Sequence, residues 1–375
     1  MGSVLSYETR AGKRYRVLYR RPDGSQAQKR GFTTKRSAEL YLAGVETSKS
    51  AGEYVNPTDA KVTVGELAAR WLHDRQGDLK PSVYRSVESA WRIHVEPQWA
   101  NRRVGAILPS EIQSWVSALS RSHSASTVLR VHGVLAGILD VAVRDRRLKE
   151  NPARDLKLPK KTRRARAYLS HDQVDALAAT SRFPTIVYAL AYTGLRWGEA
   201  TGLRVRHVDF ERRRLTVTEN AVEVGGRIVV GTTKTGHTRL VPFPEFLAPM
   251  LEGMARGKQP HELLLGSGSE HMRRPSSQDG WFAAAVKRAR MDDPTFPAIS
   301  PHDLRHTAAS LAISSGANAK VVQRMLGHAS AAMTLDTYAD LFDGDLDTVS
   351  KSLHDARTAA GNARTAVDDT DGAID

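Results

Sequence analysis

The sequence contains no cysteine, which excludes disulfides, thiolate nucleophiles and thiolate metal sites, so its stability must come from packing. No run approaches the roughly 20 apolar residues that a membrane span needs, and no apolar signal core follows Met1. The expectation is a cytoplasmic protein with no membrane partner. No repeat of solenoid period is present. Gly226 to Gly231 has the glycine spacing of a phosphate loop, but Thr232 stands where that loop needs its lysine, so no nucleotide energy source is read.

Positive charge, by contrast, is plentiful. Lys and Arg total 55 against 41 Asp and Glu, a formal net charge of +14. Such an excess favours a polyanionic partner through Coulomb steering and counterion release, and nucleic acid leads that class. A chain of 375 residues exceeds the roughly 100–200 residues at which single cores usually saturate, so several folded units are expected.

The expected fold class is multidomain α+β. Residues 1–58 form a small basic sheet-plus-helix unit: Tyr15, Val17 and Tyr19 alternate with Arg14, Arg16 and Arg20, the period of a half-buried strand. Pro22, Asp23 and Gly24 mark a hairpin turn, and Thr34 to Val45 reads as a covering helix. The cationic face of that sheet suits a DNA groove. Residues 59–155 read as a helical bundle. Its first helix starts at a capping box made by Thr63 and Glu66, and further helices are expected over 82–95, 109–119 and 127–144. A basic linker, 156–168, carries Lys157, Lys160, Lys161, Arg163, Arg164 and Arg166, a set suited to tracking phosphates. Ser170 and Gln173 form a second capping box and open a mainly α unit over 169–355 with a small antiparallel sheet. An acidic tail, 356–375, has almost nothing to bury and is expected to be disordered.

The third unit carries the chemistry. Attack on a DNA phosphodiester requires neutralising its anionic oxygens, aligning a nucleophile and protonating the leaving oxygen. Arginine suits the first task because its planar guanidinium donates paired hydrogen bonds and stays charged. Arg196, in TGLRWGEA, and Arg305, in PHDLRHTAAS, are the two expected clamps, with Glu199 placed to hold the Arg196 guanidinium. Gly194 allows a kink just before Arg196. Lys234, in TKTGHTRLVP, is expected at the turn of a hairpin with strands 227–230 and 239–241. Neighbouring cations would depress its pKa and suit it to proton donation. His302 and Arg305 are three residues apart on one helical face, and Gly327 ends a helix so that His328 faces a cleft. Tyr338, in MTLDTYAD, is the expected nucleophile. His302 and His306 share the spacing of a zinc helix, but Arg305 would repel the metal and no third ligand is evident, so no metal and no cofactor are expected, and His306 reads as a packing or hydrogen-bonding residue.

These motifs together resemble the tyrosine recombinases of the phage integrase type, with arm-binding, core-binding and catalytic domains in that order. The resemblance implies that Tyr338 forms a 3′-phosphotyrosine, that Arg196, Arg305 and His302 stabilise the transition state, that Lys234 protonates the 5′ oxygen and that His328 supports the phosphate. It implies double-stranded DNA partners carrying core-type and arm-type sites, a homotetramer on DNA, a host DNA-bending protein and an excision directionality factor, at the nucleoid of a bacterial host. Leu346, Val349 and Leu353 form a narrow apolar stripe expected to dock on a neighbouring protomer. A type IB topoisomerase would share the tyrosine chemistry but reseal the same strand. A non-catalytic DNA-binding regulator would need the basic patches but not the six chemical residues.

Overall fold

The structure is a computed structural model, and it describes residues 2–162, 166–232, 238–341, 350–351 and 353–358. The chain divides into two compact units, 1–163 and 164–375.

In the first unit, β1 (Ser3–Thr9), β2 (Gly12–Arg20) and β3 (Gln26–Phe32) form an antiparallel sheet with β2 central. Val17 and Tyr19 point inward and are buried, while Arg14 and Arg16 are half-buried and Arg20 is exposed. The β2–β3 turn falls on Pro22–Gly24: Gly24 takes φ +83°, and the Arg21 N–H donates to the Ser25 carbonyl at 2.8 Å. α1 (Lys35–Ser50) begins at the Thr34 cap, whose hydroxyl accepts the Ser37 N–H, and covers the sheet with Ala38 and Val45.

A second core in this unit belongs to α2 (Val64–Asp78), α3 (Pro81–Ala90), α4 (Glu96–Trp99), α5 (Pro109–Ser120) and α6 (Ala125–Arg144). The Thr63–Glu66 capping box is present in both directions. The helix expected to stop at Val95 instead continues through a π turn, Trp91–Val95, into α4. Pro97 lies just beyond that turn; proline has no N–H and crowds the carbonyl four residues earlier, and a widened turn relieves that crowding. α6 is long and apolar enough, by length and composition, to cross a membrane, contrary to the sequence reading. Nine of its residues, Val128, Leu135, Ile138 and Leu139 among them, are instead buried in the bundle. Fully burying each such side chain is worth about 1.5–3 kcal/mol. Gly137 lets α6 approach α2 closely, since a Cβ there would fall 2.9 Å from the Trp71 ring. Past α6, Lys157 pairs its backbone with the Gln113 amide at 2.9 and 3.0 Å, so this part of the basic linker lies on α5, with Lys160 and Lys161 exposed beyond it.

The second unit opens at the Ser170–Gln173 capping box with α7 (His171–Ala179), and Leu169 and Val174 flank it, both buried. α8 (Pro184–Thr193) ends on Gly194 in the left-handed conformation, φ +65°, and α9 (Trp197–Thr201) follows with Arg196 as its cap. The strands are β4 (Val208–Asp209), β5 (Arg214–Val217), β6 (Glu219–Val224), β7 (Arg227–Thr232) and β8 (Arg239–Pro242). α10 (Ala248–Ala255), α11 (Trp281–Asp292), α12 (Asp303–Ser314), α13 (Ala319–Leu326) and α14 (Ala331–Tyr338) complete the unit.

The strand pairing corrects the expected 227–241 hairpin. β7 pairs with β6 across Gly225 and Gly226, while β8 pairs with β5 in the sheet β4-β5-β8. Both glycines have positive φ, +63° and +78°, the conformation of the tightest hairpin turns, so β7 is taken by its nearest neighbour in sequence. Lys234, Arg163, Arg164, Leu346, Val349 and the tail from residue 359 lie outside the described residues.

Candidate active site

Four of the six expected catalytic side chains are fixed by helix ends. Arg196 is the cap of α9 and His302 the cap of α12; Arg305 sits in the first turn of α12, and Tyr338 is the last residue of α14. Pro301 directly precedes the His302 cap. His328 follows Gly327, whose φ of +66° closes α13 with a left-handed turn that glycine adopts without steric cost.

Glu199 is 1% exposed and organises the cationic side. Its carboxylate accepts the Arg196 backbone N–H at 2.9 Å and Arg196 Nη1 at 2.7 Å. It also accepts Arg239 Nη1 at 3.0 Å and Nη2 at 2.6 Å. Burial pushes this carboxyl up, but the hydrogen bonds and charge of Arg239, then those of Arg196, override it and hold it at about 2. Arg305 is 3% exposed and donates Nη1 to the Gly194 carbonyl and Nη2 to the Leu326 carbonyl, each at 2.6 Å. These two contacts pin Arg305 to the residues at both left-handed helix ends. Burial and then the Arg196 charge lower it to about 9, which still leaves a cation at neutral pH. The buried Arg305, the half-buried Arg239 and the 25% exposed Arg196 surround one carboxylate, a local surplus of positive charge suited to an anion.

The aromatic side is a row of four rings. His302 meets His306 edge-on at 5.3 Å between centroids, His306 meets Tyr338 at 5.7 Å, and Tyr338 stacks on His328 at 6.3 Å and 10°. The Tyr338 hydroxyl lies 2.9 Å from His306 Nδ1, and His328 Nδ1 lies 2.9 Å from the buried Thr334 hydroxyl. Tyr338 is wholly buried, and burial outweighs the nearby Arg305 and Arg166 charges to raise its phenol to about 12. Burial first, then His302 and the surrounding arginines, lowers His306 to about 4; burial first, then Arg305 and Arg196, does the same to His328. His302 is shifted down by desolvation and then by Arg305. At neutral pH the phenol is therefore protonated and the imidazole of His306 beside it is neutral, the direction of their hydrogen bond being set by the imidazole tautomer.

The structure thus brings together Arg196, Glu199, His302, Arg305, His328 and Tyr338 from four separate segments. His306 hydrogen-bonds to the hydroxyl, as its reading as a hydrogen-bonding residue anticipates. Sequence reasoning missed Arg239 altogether, although it lies inside the TKTGHTRLVP motif. It also placed Arg166 only among linker cations, whereas Arg166 Nη1 donates to the Thr337 carbonyl, next to Tyr338, at 2.6 Å. Among the described residues no group of three or more His, Asp or Glu side chains is placed to hold a metal.

The chain is similar to known proteins over most of its length. The sequence pattern of the phage integrase family matches residues 167–344, and that of the phage integrase central domain matches 64–158. The integrase of Mycobacterium phage D29 is 27% identical over 326 residues, covering 82% of this chain and 84% of that protein. Among solved structures, the integrase of transposon Tn1549 in complex with transposon right end DNA aligns with a TM-score of 0.64 at 22% identity, covering 77% of this chain and 100% of that one. A lambda integrase tetramer bound to a Holliday junction aligns with a TM-score of 0.57 at 15% identity, covering 87% of this chain and 96% of that one. With its catalytic and central regions both matched, the chain belongs to the phage integrase family of tyrosine recombinases.

Proposed function

We propose that this protein is a site-specific DNA recombinase that integrates, and excises, a phage or other mobile element. The observation that carries the reading is the Tyr338 hydroxyl hydrogen-bonded to a neutral imidazole within the influence of the Arg305 and Arg166 charges. In the reaction, the phenolic oxygen attacks the scissile phosphorus and gives up its proton to the neighbouring His306 imidazole, and the bond from phosphorus to the 5′ oxygen breaks. The DNA is left as a 3′-phosphotyrosine. The departing 5′ oxygen takes a proton from Lys234, assigned through its place in TKTGHTRLVP. Arg196 and Arg305, with His302 and His328, face the nonbridging oxygens and stabilise their growing charge. A 5′ hydroxyl from the partner strand then reverses these steps, so the bond energy held in the phosphotyrosine reseals the backbone without a nucleotide cofactor.

The partners follow the same reading. Residues 59–155 bind core-type sites, residues 1–58 read arm-type sites through Arg14, Arg16 and Arg20, and the linker cations Lys160, Lys161, Arg163 and Arg164 track phosphates. Four copies act together on two duplexes, helped by a host DNA-bending protein and an excision factor, at the bacterial nucleoid. A suicide core substrate, nicked so that the leaving fragment diffuses away, tests the chemistry. The wild-type protein is expected to trap a covalent adduct, and Tyr338→Phe to bind the same DNA without one. An adduct surviving in Tyr338→Phe moves the nucleophile elsewhere, and supercoil relaxation without strand exchange favours a topoisomerase.

A further inference from the structure

Arg239 spends its donors in an unusual way. Nη1 and Nη2 both go to the Glu199 carboxylate, and Nε donates to the Met325 carbonyl at 3.1 Å, in the last turn of α13. The side chain is 11% exposed, so it is packed inward with its hydrogen bonds directed at protein atoms. Gly327 lies flat against it: a Cβ at that position would fall 2.9 Å from Arg239 Cδ and 3.0 Å from Nε. The guanidinium is therefore clamped between the carboxylate that holds Arg196 and the helix end that carries His328. Its backbone belongs to β8.

We propose that Arg239 is a positioning residue, which sets Arg196 through Glu199 and sets the His328 turn through the Met325 carbonyl, so that both meet the same phosphate. This rests on the recombinase reading above. The planar fork is essential to the role, because only a guanidinium can grip both carboxylate oxygens and still offer Nε sideways to a carbonyl. A lysine keeps the charge but reaches at most one of those partners with fixed geometry. Glu199 left with Arg196 alone would loosen the clamp by the fraction of an ångström that matters for aligned hydrogen bonds to a transition state.

The test compares single-turnover cleavage by Arg239→Lys on two suicide substrates, one with an ordinary scissile phosphate and one with a neutral methylphosphonate there. The methylphosphonate removes the anionic oxygen that Arg196 faces, so an Arg196→Ala control should lose much less on it. Arg239→Lys is expected to cleave the phosphate roughly 10²-fold more slowly, as for loss of one transition-state donor, while binding core DNA within about threefold of wild type, a split expected when transition-state contacts alone are weakened. Most of that deficit should vanish on the methylphosphonate. Wild-type cleavage by Arg239→Lys, or an equal loss on both substrates, overturns the proposal. If Arg239→Lys does not fold, Arg239→Met replaces it, because it keeps an unbranched stem against Gly327 while removing every donor to Glu199 and to the Met325 carbonyl, and the same two outcomes apply. Failure of the wild-type protein to form an adduct on either substrate would instead overturn the recombinase reading itself.

Discussion

Replacing Glu199 with glutamine removes one charge from a site that holds it at about 2, against 4.5 for a free side chain. At about 1.4 kcal/mol per pKa unit, that difference is worth about 3 kcal/mol of stability when the carboxylate is ionised. The size agrees with the roughly 3–5 kcal/mol expected on breaking a buried ion pair. Because the folded pKa is depressed, the stabilisation is complete above 4.5 and is lost as pH falls toward 2. Glutamine mimics the protonated carboxyl in shape, so the gap between wild type and Glu199→Gln should itself depend on pH. Hydrogen exchange of α8 and α12 amides, compared between the two proteins at one pH so that intrinsic rates cancel, reads that gap inside the second unit. Protection should differ by about two orders of magnitude at pH 6, fall to roughly tenfold at pH 3, and be nearly equal at pH 2. A gap that is unchanged between pH 6 and pH 3 would refute the claim that the Glu199 charge, rather than its packing, holds the site.

Further expectations concern the same site. Tyr338→Phe subtracted from wild type should give an ultraviolet difference spectrum that titrates near 12; a midpoint at the ordinary 10 contradicts the burial of that hydroxyl. Since the folded value is raised, the stability linked to Tyr338 is intact below 10 and is lost as pH climbs through 12. His306 and His328 are lowered to about 4, so nitrogen-detected spectra should find both imidazoles neutral at pH 6, and titration of either near 6.5 would be inconsistent with the four-ring packing. Gly194→Ala should destabilise the second unit by several kcal/mol, from left-handed backbone strain of about 1–2 kcal/mol plus a Cβ only 2.5 Å from Leu326 Cδ2. Near-wild-type thermal stability of that variant would show that the turn is not rigid. Removal of residues 1–58 should abolish arm-site binding and spare cleavage of suicide core substrates, and loss of both activities would contradict separable modules.

What could be read from the sequence was local. Thr63 with Glu66 and Ser170 with Gln173 marked helix starts because a capping box closes within four residues, and Gly194 marked a kink before Arg196 and Gly327 a helix end because their conformation is disfavoured for other residues. The two glycines put Arg196 and His328 beside helix termini, where a side chain can face a common space, and the three-residue spacing of His302 and Arg305 put those two on one face. Tyr338 was legible only by its motif; that it ends a two-turn helix, wholly buried against His306, depends on packing from α12 that no local pattern encodes. Arg239 was hidden for a sharper reason. Read as the return strand of a hairpin with β7, it would be one solvated arginine among many, but pairing β8 with β5 turns its guanidinium toward Glu199, 40 residues away in sequence. The two glycines at 225 and 226 decide that outcome by closing β7 onto β6. The cationic centre therefore depends on a strand exchange set outside it: lengthening the 225–226 turn should free β7 to compete for β8, and the first catalytic group to lose its place would be Arg196, through the carboxylate it shares with Arg239.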